Sequence, residues 1–482
     1  MNHYFDLHLH PSTKPFLSHY DPARRVSCWE TVDHPLSIIR SQCSLSQMKE
    51  GRIRLAVAAL YPMERPMTSS FLIEHVAPLI TILDGKMMDF PTYANYFNLV
   101  FEEIEHLRKA QRAGQGHAMK ILNNLDEMDP DALNLILALE GGHALESFNT
   151  SIHDNLRTIK TGPFRFLYLT LVHLTQYPLA THAYGMKLIK DNDQFKPAGF
   201  GLSDMGKAII DLAYDESAGR RLLIDIKHMS LAARHHFYQY RKEKGYEHIP
   251  IMATHMGVTG ISKDPRQIAR FFSRAVIRKN GFIEVNYERP HGIGSGLFNK
   301  TNFNPWSINL FDEEIPVILD SGGLIGINMD QRILGCQAVQ GEFFSEDDFS
   351  YILSGYRDKE NKDWPVAAVE GEFSDEQEEA RELNERKHLR HFCNNILHIV
   401  KVGGERAWKQ ICMGSDFDGL IDPANHCTSS AAFPKLEESL ADMLPRMMEE
   451  DRGHDYDASH IEQKVRGIMY DNALSFLQQH FS

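Results

Sequence analysis

Eight short apolar runs punctuate the 482 residues, and longer amphipathic stretches separate them. They are FDLHLH (5–10), IRLAVAALYP (53–62), LNLILALEGG (133–142), FLYLTLVH (166–173), RLLIDIKH (221–228), IPIMATH (249–255), GLIGINM (323–329) and ICMGSDFDG (411–419). Near-continuous apolar runs between helical segments belong to parallel strands covered on both faces. Eight of them favour an α/β fold of the (β/α)8 TIM-barrel type, although an open doubly wound sheet also satisfies the pattern. A ninth run, GFIEVNY (281–287), reads equally well as a strand and complicates the count.

Metal-type side chains cluster at the ends of these runs. His8 and His10, Glu140, His173, His228, His255 and Asp416 each occupy the last position or two. In a strand, residues two apart share a face, so His8 and His10 point the same way. Taken alone that pair means little, because 25 histidines in 482 residues give roughly one His-x-His by chance. A single buried histidine is more often a hydrogen-bonded core residue than a ligand. Seven such residues at the ends of six runs are different, because the C-terminal ends of barrel strands converge on one mouth.

Neutral imidazoles and carboxylates suit zinc, with manganese or iron as alternatives. Five ligands exceed what one tetrahedral ion with an open position needs, and suit two ions bridged by a carboxylate and a water. Glu140, the carboxylate closing the third run, is the natural bridge. His8 and His10 then serve one ion, and His228 and His255 the other. A water shared by two cations loses a proton near neutral pH, and the metal-bridging hydroxide becomes the nucleophile. Asp416 is placed to take that proton and pass it to a leaving amine, and His173 to hydrogen-bond the developing oxyanion. The expected chemistry is metal-assisted hydrolysis of an amide or an ester.

Other features narrow the class. A net charge of −14 argues against a nucleic-acid partner. No run of 18 apolar residues occurs, so no membrane span or membrane association is expected. The first residues lack the basic and apolar regions of a leader, and a core strand at 5–10 leaves no room for one. Six scattered cysteines without a CxxC pair speak for a reducing cytoplasm and against a thiolate site. The expectation is one domain over 1–482, with insertions at about 62–130, 257–305 and 341–387. The last carries roughly 15 acids against 6 bases and reads as a solvated insertion. The partner is a small-molecule substrate, and a homodimer stays open.

LALEGGHAL, YLTLVHLTQYPLA, GFGLSDMGKAIIDLA, LLIDIKHMS, GSDFDG and VRGIMYDNALSFL, in this order, resemble the membrane (renal) dipeptidase family of the amidohydrolase superfamily. The resemblance runs nearly end to end outside the insertions. It implies a (β/α)8 barrel, two zinc ions and hydrolysis of dipeptides. By motif match it implies Glu140 as bridging ligand, His228 and His255 on the second zinc, His173 against the scissile carbonyl and Asp416 serving the bridging water.

Two departures stand out. The family's first strand usually carries His-x-Asp, where this chain has His10. The family also has an arginine for the substrate carboxylate, in a segment like RNLTDEEL. INLFDEEI (308–315) puts Ile308 at that arginine, whereas a register without the gap puts Arg266 eleven residues past His255. Arg266, Arg289 and Arg332 are the candidate anchors. Rival readings are another amidohydrolase acting on an amide, ester or lactone, and a non-catalytic barrel. Glu140 speaks against a one-metal deaminase. Lys227, next to His228, is expected to face away, which speaks against a lysine-bridged centre.

Overall fold

In a computed structural model of the chain, the described residues are 2–19, 21–34, 37–68, 95–113, 119–185, 192–277, 281–287, 301–337, 341–354 and 379–482. All eight runs form strands of one parallel sheet. In chain order the strands are β1 (Tyr4–Leu9), β2 (Ile53–Leu60), β3 (Met119–Ile121), β4 (Leu133–Leu139), β5 (Phe166–Thr170), β6 (Leu223–Asp225), β7 (Ile251–Met256), β8 (Phe272–Ile277), β9 (Phe282–Tyr287), β10 (Leu324–Ile327), β11 (Glu342–Ser345) and β12 (Ile411–Met413). The sheet runs β1-β2-β4-β5-β6-β7-β10-β12, with β3 added beside β4. A parallel bridge between Leu9 and Phe417 joins the last strand back to the first. His10 N donates to Phe417 O, and Asp416 N to His8 O, both at 2.9 Å. The eight-stranded barrel is therefore nearly closed, and the doubly wound alternative falls.

Strand ends pass directly into capped helices, which fixes the side chains at the mouth. After β6, Ser230 accepts from Ala233 N and starts the helix Leu231–Lys244, which Gly245 ends in the left-handed conformation. His228 lies only two residues before that cap. Its carbonyl accepts from Ala183 N at 2.7 Å.

The GFIEVNY run is a strand, but not a barrel strand. β9 pairs antiparallel with β8 and β11 in a separate three-stranded sheet. Alternation buries both of its faces. Ile283, Val285 and Phe344 pack with Leu231, Ile261 and Phe311. Phe282 and Phe343 pack with Ala183, Tyr184, Trp306 and Ile308. The solvated reading of 341–387 is thereby corrected at its start. Glu342 is buried, accepting from Ser307 N at 2.8 Å and from Tyr287. Asp348 is also buried and accepts from Gly201 N at 3.0 Å. The acidic stretch 355–378 lies outside the described residues.

One buried ion pair ties the helix after β6 to the helix that precedes β10. Arg234 is fully buried and bonds Glu314 through Nε (2.6 Å) and Nη2 (2.9 Å). Its remaining donors reach the carbonyls of Met229, Ser307 and Asn309. Every guanidinium N–H is thus satisfied, and Glu314 is left charged at the helix Glu314–Asp320. Arg234→Met removes only one partner, so it should destabilise the protein by about 3–5 kcal/mol, read as a lower midpoint in urea. An unchanged midpoint would show that the pair has no such role.

Candidate metal centre

Glu140 follows β4, and its carboxylate stands amid four imidazoles. Oε1 lies 3.3 Å from His8 Nε2, 3.2 Å from His228 Nε2 and 3.6 Å from His255 Nε2, while Oε2 lies 3.3 Å from His10 Nε2. The nitrogens also crowd one another, with Nε2–Nε2 separations of 3.1 Å for His8–His10 and 3.2 Å for His228–His255. An ion about 2.0–2.1 Å from each donor would hold tetrahedral neighbours roughly 3.3 Å apart. The donor set fits a divalent metal. Three groups with ligand atoms close enough to share an ion emerge: His8–His10–Glu140, Glu140–His228–His255 and His8–His255–Asp416.

The far nitrogens of three rings are anchored, which turns each Nε2 inward. His10 Nδ1 donates to Ala59 O at 3.0 Å. Tyr168 donates to Leu7 O, so its hydroxyl accepts from His8 Nδ1 at 2.8 Å. Thr254 Oγ1 donates to Asp225 at 2.7 Å and accepts from His255 Nδ1 at 2.8 Å. His228 Nδ1 has no hydrogen-bond partner among the described residues. Burial, aided by the His173 charge, drags His228 down to about 3 and leaves it neutral. Burial also holds His255 well below its ordinary range. Burial pushes the Glu140 carboxyl up, but His173, His8 and His10 outweigh it and keep it ionised. At His10 burial opposes Glu140 and Asp416, which prevail and lift it to about 9.

His228 and Asp416 both adopt left-handed backbone, with φ of 65° and 62°. Such strain is held by its surroundings and clusters at functional sites. It lets both residues turn into the mouth at a strand end. Asp416 Oδ1 stands 3.4 Å from His10 Nε2 and 3.8 Å from His8 Nε2. Asn328, after β10, approaches Asp416 Oδ2 with its Nδ2 at 3.5 Å. His173, after β5, has Nε2 at 3.7 Å from Glu140 Oε2 and Nδ1 at 2.9 Å from Glu64 Oε1. All seven residues expected at the mouth are brought together.

The surrounding cations are less simple. Lys227 does not face away. It has the parity of Asp225, which bonds Thr170 and Thr254 on the flanking strands. Its buried Nζ has no hydrogen-bond partner among the described residues and lies in the field of Asp416, Asp225, Asp330 and Glu140. The left-handed turn at His228 breaks the alternation that predicted otherwise. Arg266 is exposed on the helix Pro265–Phe271 and bonds none of the centre's groups through its side chain. Arg289 lies outside the described residues. Arg332 stands at the end of β10, paired through Nε with both Asp330 oxygens at 2.9 and 3.1 Å, and feels the Asp416 charge. Ile308 is buried among Tyr184, Trp306 and Phe343, so an apolar cluster fills the arginine's expected place. Glu64, just past β2, went unnoticed in the sequence. A cavity of about 330 Å³, lined in part by Tyr96, His143, Glu146 and Tyr177, opens beside it, a volume typical of small-molecule sites.

A barrel whose strand ends converge four histidines on one carboxylate defines a metal-dependent hydrolase of the TIM-barrel type. Residues 16–290 match the model of the membrane dipeptidase family, peptidase family M19. The chain belongs to this family, and it is a metal-dependent, dipeptidase-like hydrolase. Glu140, His173, His228 and His255 fall within the match, whereas His8, His10 and Asp416 lie outside it and join the centre through the fold. Among solved structures it is similar to dipeptidase AC, a metallopeptidase of family M19, with 16% identity over 100% of this chain and 99% of that one and a TM-score of 0.53. It is also similar to a metallopeptidase from Rhodobacter sphaeroides liganded with a phosphinate mimic of L-Ala-D-Ala, at 17% identity, 99% coverage of both chains and a TM-score of 0.53. The probable dipeptidase PvdM from Pseudomonas aeruginosa gives 13% identity, 98% and 94% coverage and a TM-score of 0.52. No curated protein matches the sequence significantly. No helix among the described residues is long and apolar enough to cross a membrane.

Proposed function

We propose that the protein cleaves the peptide bond of dipeptides at a two-metal centre held by His8, His10, Glu140, His228 and His255. The observation that carries this reading is Glu140, whose two oxygens face histidines of both ligand pairs. The neutral nitrogen-rich donor set favours zinc. Two such ions would supply Lewis acidity to the scissile carbonyl and would acidify an attacking water. Asp416 is placed to accept a proton from the attacking water and to return it to the leaving amine. His173 turns Nε2 toward the reaction centre and donates it to the carbonyl oxygen as charge develops there. The six free cysteines favour a reducing compartment such as the cytoplasm. Zinc content together with turnover of L,L- and L,D-dipeptides tests the reading, and an active preparation without metal would defeat it.

A second substrate class has its own support. With Ile308 in an apolar cluster, an uncharged amide or ester would meet no missing partner there. Arg332 decides between the two. A guanidinium–carboxylate contact in a dry site outweighs an exposed pair. Arg332→Ala should therefore raise KM for free-carboxylate dipeptides about tenfold, one step of 1.4 kcal/mol, and leave their C-terminal amides unaffected. Equal KM values for acid and amide substrates, in wild type and variant alike, would show that Arg332 anchors nothing and would favour the uncharged class.

A further inference from the structure

Glu64 sits four residues past β2, at the end of the run that reads LYPME, and is buried. Its carboxylate collects donors from three directions. His173 Nδ1 approaches Oε1 at 2.9 Å, and the next backbone amide, Leu174 N, reaches the same oxygen at 3.2 Å. Tyr61 donates its hydroxyl to Oε2. The Tyr61 ring lies 4.5 Å from the His173 ring, centroid to centroid, so the imidazole is held on its face as well as at its edge. The opposite nitrogen of His173 is the one near Glu140.

This is more contact than a core histidine needs. One acceptor would satisfy Nδ1, but Glu64 also fixes the backbone at Leu174 and is itself fixed by Tyr61. Ring position, ring plane and tautomer are all set from one carboxylate. A buried carboxylate facing Nδ1 keeps a proton on that nitrogen and its charge favours the imidazolium, whose Nε2–H is then the donor aimed at the centre. The charge of Glu64 also suits a histidine that gathers positive charge.

We infer that Glu64 is a positioning residue for the reaction, orienting His173 so that Nε2 meets the carbonyl oxygen of the substrate's scissile bond. The inference rests on the proposed role of His173. Glu64 bonds the edge of the ring away from Glu140. It acts through the ring, as the acid of a hydrolase triad holds its histidine.

Because two residues acting as one unit have non-additive effects, a double-mutant cycle is the direct test. Glu64→Ala is expected to lower kcat for a dipeptide 30- to 300-fold, with KM within threefold of wild type and metal content unchanged. Glu64→Gln keeps the shape and one acceptor oxygen for Nδ1–H, and should recover at least tenfold of that loss. In a His173→Ala background, Glu64→Ala should cost less than threefold more. Multiplying effects in the double variant would overturn the inference, as would a Glu64→Ala variant with wild-type kcat or one that loses metal. If Glu64→Ala does not fold, Glu64→Gln carries the cycle alone: it should lower kcat at least threefold in the wild-type background and less than 1.5-fold with His173→Ala, and equal factors in both would overturn it. A fully active His173→Ala enzyme would defeat the proposed role of His173, on which this inference rests, whereas an impaired His173→Ala beside a normal Glu64→Ala would defeat this inference alone.

Discussion

Glu140→Gln should empty the centre of metal and abolish turnover together. The carboxylate is central to the ligand set, with His8, His10, His228 and His255 all within 3.6 Å of its oxygens. An amide keeps one acceptor oxygen but offers a protonated nitrogen on its other arm, which cannot bind a cation. It also removes a negative charge from the site proposed to hold two dications. We expect less than one ion per chain and a kcat/KM lower by about 10³-fold or more, equivalent to roughly 4 kcal/mol. Because Gln matches Glu in size, the melting temperature measured on metal-free protein should stay near that of metal-free wild type. A variant that keeps two ions and its activity would remove Glu140 from the role of bridge.

Asp416→Asn should do the opposite, sparing the metals while cutting kcat by about 10²–10⁴-fold. Asn tolerates the left-handed backbone at this position as well as Asp does, and Asp416 N keeps its bond to His8 O. The amide therefore preserves the loop but cannot accept the proton. KM should remain within a few-fold. Loss of one ion instead would make Asp416 a ligand, in keeping with its closeness to His8 and His255. Wild-type turnover would exclude it from proton transfer.

The centre was legible in the sequence because its residues sit where strand periodicity is strongest. His8 and His10 share parity within β1, and Glu140, His173, His228 and His255 each close an apolar run. Errors arose where a local rule met a non-local fact. Alternation placed Lys227 outward, but the left-handed turn at His228 breaks the alternation. Charge density read 341–387 as solvated, yet Glu342 belongs to a strand that pairs with β9, far earlier in the chain. GFIEVNY read as a ninth strand and is one, though pattern alone could not say which sheet would take it. Glu64 carried no periodic signal, and its partner His173 is 109 residues away. The apolar cluster over Ile308 was invisible for the same reason, since β9 and β11 must pair before it exists.

The central claim is that this chain builds a two-ion centre. Elemental analysis of the freshly purified, active protein, scaled to its chain concentration and paired with anomalous scattering at the zinc edge, tests it most directly. The account predicts two zinc ions per chain, one beside His8 and His10 and one beside His228 and His255, with Glu140 between them. An active preparation holding a single ion, or ions elsewhere in the barrel, would contradict it.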